Sequence, residues 1–295
     1  MLALKNWLNK TAQLMEVNLQ TQGKPSAPVS SKKGWTSLLT GLFLLGCVFL
    51  VSCSEKMDPL LQKANEEWIQ GRNHSAIETF NEVLKNNPSG IKAEEALFRL
   101  GEIHHFSLNN SKRALVYFQE VLQMNRAGSF GYPAQNYIAE IAEFGLKDFD
   151  QAIIEYQNLI NDYADKNENS NHQYRIASIY YKKQNYEQAL VELNILLENY
   201  PKSSWAEETK YKIIEILYAL SRCPEAREQY RHFNLEYSKS RFKEDMDFIV
   251  ASCLEEEGHL QEAFNQFTAL EGRYIYPAIL KMKLLGLEKR MKKQH

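Results

Sequence analysis

From about residue 57 onward, apolar and polar positions follow a helical rhythm that restarts about every 37 residues. Aligned on Ala76, Ala114, Ala152, Ala189, Ala226 and Ala263, which are spaced 38, 38, 37, 37 and 37 apart, the phrases HSAIETF, KRALVYF, DQAIIEY, EQALVEL, PEAREQY and QEAFNQF superpose. Four positions after each alanine stands Phe80, Phe118, Tyr156, Leu193, Tyr230 or Phe267. That spacing places one small and one bulky residue on the same helical face. A second series, Tyr163, Tyr200, Tyr237 and Tyr274, also advances by 37.

Ahead of each alanine lies another helical phrase centred on a small or apolar pair: Lys63-Ala64, Leu100-Gly101, Ile138-Ala139, Ile176-Ala177, Ile213-Ile214 and Val250-Ala251. Short polar or glycine-bearing turns such as Gln70–Asn73 and Glu257–His259 separate the two phrases, so each unit is predicted to be an antiparallel helix hairpin. The two longer steps trace to one extra residue, expected in the turns SLNNS and GLKD. The repeat alanines sit at the closest approach of each hairpin, where a larger side chain would push the helices apart at a cost of roughly 1 to 3 kcal/mol.

The small residue of the first helix, the alanine, the aromatic one turn later and the Pro88 and Pro201 that follow the second helix resemble the tetratricopeptide repeat. Arg126, Ala164 and Ser238 depart from it at the proline position. The resemblance spans residues 57–275 and implies an all-α, right-handed superhelical solenoid of about six hairpins, since units this small bury their faces only by stacking. Residues 277–293 are predicted to form a basic amphipathic helix that caps the stack. The long period and the joints Asn199–Ala206 (NYPKSSWA) and Asn87–Ala93 (NPSGIKA) are similar to those of envelope repeat proteins. Two such families are the D-component lipoprotein of the outer-membrane barrel-assembly machinery and the Tol-Pal-associated coordinator. The resemblance implies a protein-binding scaffold.

The amino terminus reads differently. Residues 1–34 are basic and lack apolar periodicity, and are expected to be disordered. Residues 35–52 form an uncharged, apolar run behind Lys32-Lys33, as in a segment that enters the export machinery. It ends in Leu50-Val51-Ser52-Cys53, which resembles the bacterial lipobox and implies acylation and cleavage at Cys53, with residues 53–56 as a lipidated linker. An earlier string, Leu44-Leu45-Gly46-Cys47, would leave the apolar Val48–Val51 at the new terminus. Ser54, where an Asp favours inner-membrane retention, implies the outer membrane, with the periplasm as compartment. The alternative is an uncleaved inner-membrane signal anchor, for which 18 residues is short.

Charge sharpens the reading. Residues 1–52 carry +4 and residues 281–295 carry +5, which leaves −11 on 53–280 given the overall net of −2. Such a surface repels phosphate backbones, so no nucleic-acid partner is expected. No GxxxxGK[ST], GxSxG, HExxH or paired CxxC motif occurs, and no enzyme activity, small-molecule substrate, metal or cofactor is expected. His104-His105 point about 100° apart on a helix, unlike a metal pair. Cys223 falls at a hairpin turn and Cys253 mid-helix in the next repeat, so they are expected to be buried free thiols, although an oxidising periplasm would permit a pair.

Protein partners need a surface. On the first helices, aromatics recur seven apart: Phe98 and His105, Tyr174 and Tyr181, Tyr211 and Tyr218, with Leu61 and Trp68 in the first repeat and Phe248 in the sixth. Tyr137 and Phe144 join them only if the extra residue of repeat three lies elsewhere than in the GLKD turn. One reading is a peptide groove with rigid aromatic anchors; the other is packing against the preceding joint. Arg99, Arg175 and Lys212 are placed to meet a partner's carboxylates or to be solvated. The chaperone-type carboxylate clamp is unmatched, with Leu61 in place of its Lys. The basic last helix suits an acidic partner or anionic headgroups, and its lysines also suit the helix dipole. The expected role is an outer-membrane-anchored scaffold in barrel assembly; a Tol-Pal or cell-wall coordinator, a secretin or pilus pilot, and a regulatory module of a wall-degrading enzyme stay open.

Overall fold

The computed structural model describes residues 58–164 and 168–293. The basic stretch, the apolar segment, Cys53 and its neighbours Leu50, Val51 and Ser52 lie outside the described residues. Among the described residues all regular structure is helical, and no helix is long and apolar enough to cross a membrane. The helices are α1 (Pro59–Ile69), α2 (Asn73–Asn86), α3 (Ile91–Glu102), α4 (Ser111–Asn125), α5 (Gly131–Glu140), α6 (Phe149–Asp162), α7 (Asn169–Lys182), α8 (Tyr186–Asn199), α9 (Ala206–Ala219), α10 (Cys223–Glu236), α11 (Lys243–Glu256), α12 (Leu260–Ala269) and α13 (Pro277–Met291). Consecutive pairs from α1–α2 to α11–α12 form six stacked hairpins, and α13 closes the stack as an unpaired helix.

Local chemistry sets the boundaries. Asn110, Asp148 and Asn185 cap α4, α6 and α8, each side-chain oxygen accepting from the backbone N–H three residues on, at 3.1, 3.1 and 3.3 Å; such a cap stabilises by about 1 kcal/mol. At the other end, Tyr163, Tyr200 and Tyr237 stop α6, α8 and α10 with φ of −130°, −132° and −125°. The repeated tyrosine is thus a helix stop as well as a packing residue, and Tyr163 also donates its hydroxyl to the Arg126 carbonyl at 2.7 Å.

All six repeat alanines are fully buried. The cores of successive hairpins follow one another along the stack, so each hairpin buries its faces against its neighbours. Gly101 marks a close approach between the two helices of the second hairpin: a Cβ there would stand 2.5 Å from the Phe118 ring.

Two expectations are corrected. The extra residue of repeats two and three sits inside the first helix rather than in the turn: α3 and α5 each end in a π turn, Ile103–Ser107 and Ile141–Leu146. A π turn spends one more residue per rotation, which absorbs the insertion without lengthening the loop. Cys223 and Cys253 are bonded rather than free, with Cα atoms 5.3 Å apart. The reason is antiparallel packing: Cys223 opens α10, and α11 runs back along it, bringing its last turn level with the first turn of α10.

Candidate protein-binding wall

The aromatic series of the first helices divides into two rows with different surroundings. The earlier row is core. Leu61, Phe98 and Tyr174 are buried, and Tyr211 and Phe248 are half-buried. Each aromatic of this row packs on an aromatic of the next joint. Phe98 meets Phe130 at 5.2 Å, Tyr174 stacks on Trp205 at 4.2 Å, Tyr211 on Phe242 at 4.5 Å and Phe248 on Tyr274 at 4.7 Å. Of these joint aromatics, Tyr274 belongs to the 37-residue tyrosine series and Trp205 to the joint NYPKSSWA, whereas Phe130 and Phe242 carry no signal in the sequence beyond their place in a joint.

The later row is more open. Counting eight residues back from each repeat alanine gives Trp68, Phe106, Phe144, Tyr181 and Tyr218. Phe106 and Phe144 are 51% and 57% exposed and the other three are half-buried. The π turn moves the register by one, so Phe106 occupies the slot expected for His105. The His105 ring instead lies against Phe106 and Tyr137, at 4.5 and 6.0 Å, and burial holds its pKa below the usual value. Tyr137 leaves the earlier row for the same reason and packs back on Phe118 at 5.0 Å, while Phe144 enters the later one.

Polar groups of the following hairpin brace the later row. Trp68 donates Nε1–H to Ser107 Oγ at 3.2 Å, Tyr181 its hydroxyl to Glu215 at 2.9 Å, and Tyr218 its hydroxyl to Glu256 at 3.0 Å. The Arg175 guanidinium lies 4.6 Å from the Phe144 ring centre, with Lys182 Nζ at 5.6 Å. Lys212 Nζ is 5.2 Å from the ring of Tyr181. Rings pinned at one edge and open on a face present contact area at low entropic cost. In the sixth hairpin the slot holds Glu255, which accepts from Lys283 at 2.7 Å and Arg290 at 2.9 Å.

Between α7 and α9 the wall opens into a pocket of about 270 Å³, lined by Tyr174, Ala177, Tyr181, Leu193 and Ile216 with Lys182 and Lys212. It brings together three predicted residues, Tyr174, Tyr181 and Lys212. Its cations are not free: Lys212 binds Glu215 at 2.7 Å and Lys182 binds Glu143 at 2.7 Å. Arg175 likewise binds Glu143, and Arg99 binds Glu102 at 2.7 Å. Burial, then the Glu215 charge, raises the Tyr181 hydroxyl to about 12, so it stays a donor near neutral pH. Burial also raises Glu102 and Glu140 above the usual carboxyl range. Among the described residues no group of three or more His, Cys, Asp or Glu is placed to hold a metal ion. The arrangement offers contact area and paired charges, the chemistry of adhesion.

Tetratricopeptide-repeat family models match residues 61–132 and 173–203. No curated protein matches the chain. Among solved structures, the Naa15/Naa10 complex bound to HypK-THB aligns with a TM-score of 0.58 at 16% identity, over 78% of this chain and 33% of that one. A tetratricopeptide repeat protein from Parabacteroides merdae ATCC 43184 aligns with a TM-score of 0.46 at 15% identity, over 78% and 97%. PilW, described as a widely conserved type IV pilus biogenesis factor, aligns with 0.45 at 14%, over 76% and 96%. The chain is a tetratricopeptide-type solenoid, a scaffold suited to protein–protein interaction.

Proposed function

We propose that this scaffold is a lipoprotein, acylated at Cys53, held at the periplasmic face of the outer membrane, where it binds envelope proteins during barrel-protein assembly. The observation that carries the binding role is the row Trp68, Phe106, Phe144, Tyr181 and Tyr218, one aromatic from each of five hairpins, with the pocket beside Tyr181. An extended segment laid along such a row meets a ring at every repeat, and the pocket accepts one larger apolar side chain. The Cys223–Cys253 bond supports an oxidising compartment. The lipobox-like Leu50-Val51-Ser52-Cys53 supports the anchor, which would raise effective concentration at the bilayer surface.

Affinity purification from detergent-solubilised envelope tests the reading. An outer-membrane barrel protein with periplasmic repeats should co-purify, and Phe144→Ala with Tyr181→Ala should weaken its recovery. Peptidoglycan synthases or a secretin in its place would move the assignment to a cell-wall coordinator or a pilot. Palmitate labelling that persists in Cys53→Ala would remove the anchor from the account.

A further inference from the structure

The last described helix is seated as the first half of a hairpin, and among the described residues no second helix covers it. Shifted by 108 positions, α13 matches α7. The buried Leu280, Leu284 and Leu287 of α13 stand where α7 buries His172, Ile176 and Ile179. Lys283 and Arg290 both reach Glu255, as Arg175 and Lys182 both reach Glu143. Two independent sets of contacts thus give α13 the seat of a seventh first helix.

In α7 the remaining faces are covered. Gln173 donates to Glu192 of α8 at 2.7 Å, Ala177 is 1% exposed, and Tyr174 donates to Glu208 of α9 at 2.9 Å. The matching positions of α13 are bare. Leu285 stands for Ala177 and is 55% exposed, Met282 stands for Tyr174 and is 66% exposed, and nothing lies within 4 Å of where a Cβ on Gly286 would be. Ile279 extends the stripe one turn toward the amino end of α13.

We propose that this face docks an acidic amphipathic helix of a partner protein, which completes the seventh hairpin. Charge argues for the acidity. Lys281, Lys289, Lys292 and Lys293 have no ion-pair partner among the described residues, and Glu288 is the one acid of this end. The helix that fills the corresponding seat on α7 is itself acidic: α8 carries Glu187, Glu192 and Glu198 and no base. An anionic bilayer would meet the same charge, but the stripe is shaped as a helix seat, a geometry the chain fills six times over. The site lies apart from the aromatic row and requires no acylation at Cys53.

A fluorescein-labelled, hydrocarbon-stapled peptide of the α8 sequence, Tyr186–Asn199, is the probe, stapled because an isolated helix this short is marginal in water. Titrated by anisotropy onto the full chain in detergent, it should bind saturably and lose affinity with added salt. Met282→Glu with Leu285→Glu, both on exposed side chains, should weaken it by about tenfold or more while leaving helix content unchanged. Absent binding, or binding indifferent to the double substitution, overturns the proposal. So does retention on phosphatidylglycerol vesicles that vanishes with the same substitutions while the peptide fails to bind, which assigns the face to the membrane.

Discussion

Glu143 and Arg175 form a two-pronged ion pair across the boundary between the third and fourth hairpins, with Nε at 3.0 Å and Nη2 at 2.6 Å from the two carboxylate oxygens. The Glu143 side chain is fully buried, and Tyr156 and Lys182 also donate to it, at 3.0 and 2.7 Å. Glu143 belongs to the π turn that closes α5, so the pair fixes both the inserted residue and the neighbouring Phe144, under whose ring partners it lies.

Breaking this node should be costly. Removing one partner of a buried pair costs about 3–5 kcal/mol, and the partial exposure of Arg175 and Lys182 puts Glu143→Gln near the lower end. Arg175→Lys keeps the charge but loses the fork, and should fall between wild type and Glu143→Gln in urea unfolding. Burial alone would raise the Glu143 carboxyl, but hydrogen bonds and charges from Arg175 and Lys182 hold it below its ordinary 4.5. Its contribution is therefore complete at neutral pH and is lost as pH falls below about 4.5 through the depressed value.

Gly101→Ala should destabilise although alanine is the better helix former. The propensity gain is about 1 kcal/mol. Against it, the new methyl meets the Phe118 ring at 2.5 Å, and that ring is itself closed in by Phe98 and Tyr137 at 5.6 and 5.0 Å. Overpacking of a ring with no room to retreat costs about 3 kcal/mol at the upper end, so a net loss of about 2 kcal/mol is expected in denaturant titration. A more stable Ala variant would mean the second hairpin has slack at its centre.

The repeat was legible because its evidence is local: alanines 37 or 38 apart, each with a bulky residue one turn on, dictate stacked hairpins without any long-range information. The division of the aromatics was not. Phe98 and Tyr174 lie in the same pattern as Tyr181, but what buries them is Phe130 and Trp205, about thirty residues on, in joints of irregular backbone. A seven-residue count from Phe98 falls on His105 rather than Phe106 because it assumes an unbroken α-helix, whereas the π turn Ile103–Ser107 shifts the face by one residue. The disulfide was hidden for a related reason, since cysteines 30 apart meet only once α11 has folded back along α10.

His172 should make the stack sensitive to mild acid. Its ring is 2% exposed, stacked on Tyr156 at 5.8 Å, and its Nε2 lies 3.1 Å from the Tyr132 hydroxyl. Burial drives its pKa down from 6.5 to about 4, against a smaller opposing effect of Glu168. The unfolded chain takes up this proton near pH 6.5 and the folded chain near pH 4. Stability is thus full above pH 6.5 and declines toward pH 4, by about 3 kcal/mol in total at ~1.4 kcal/mol per pH unit. His172→Gln should flatten that part of the pH profile of thermal unfolding; an unchanged slope would assign the acid sensitivity elsewhere.

Reduction of Cys223–Cys253 should loosen one end of the solenoid and spare the other. A crosslink between residues 30 apart stabilises by about 3.6 kcal/mol in the chain-entropy description. Hairpins contact only their neighbours, so the loss should concentrate in α10 to α13 rather than spread along the stack. Cys253 is fully buried and Cys223 4% exposed, so a reductant gains access when α10 and α11 part and the reaction should be slow in the folded chain. Hydrogen exchange after prolonged reductant treatment should show faster amides in α10–α13 and unchanged protection in α1–α6, and Cys223→Ala with Cys253→Ala should reproduce that pattern without reductant. Uniform loss of protection along the chain would mean that the six hairpins unfold as one unit.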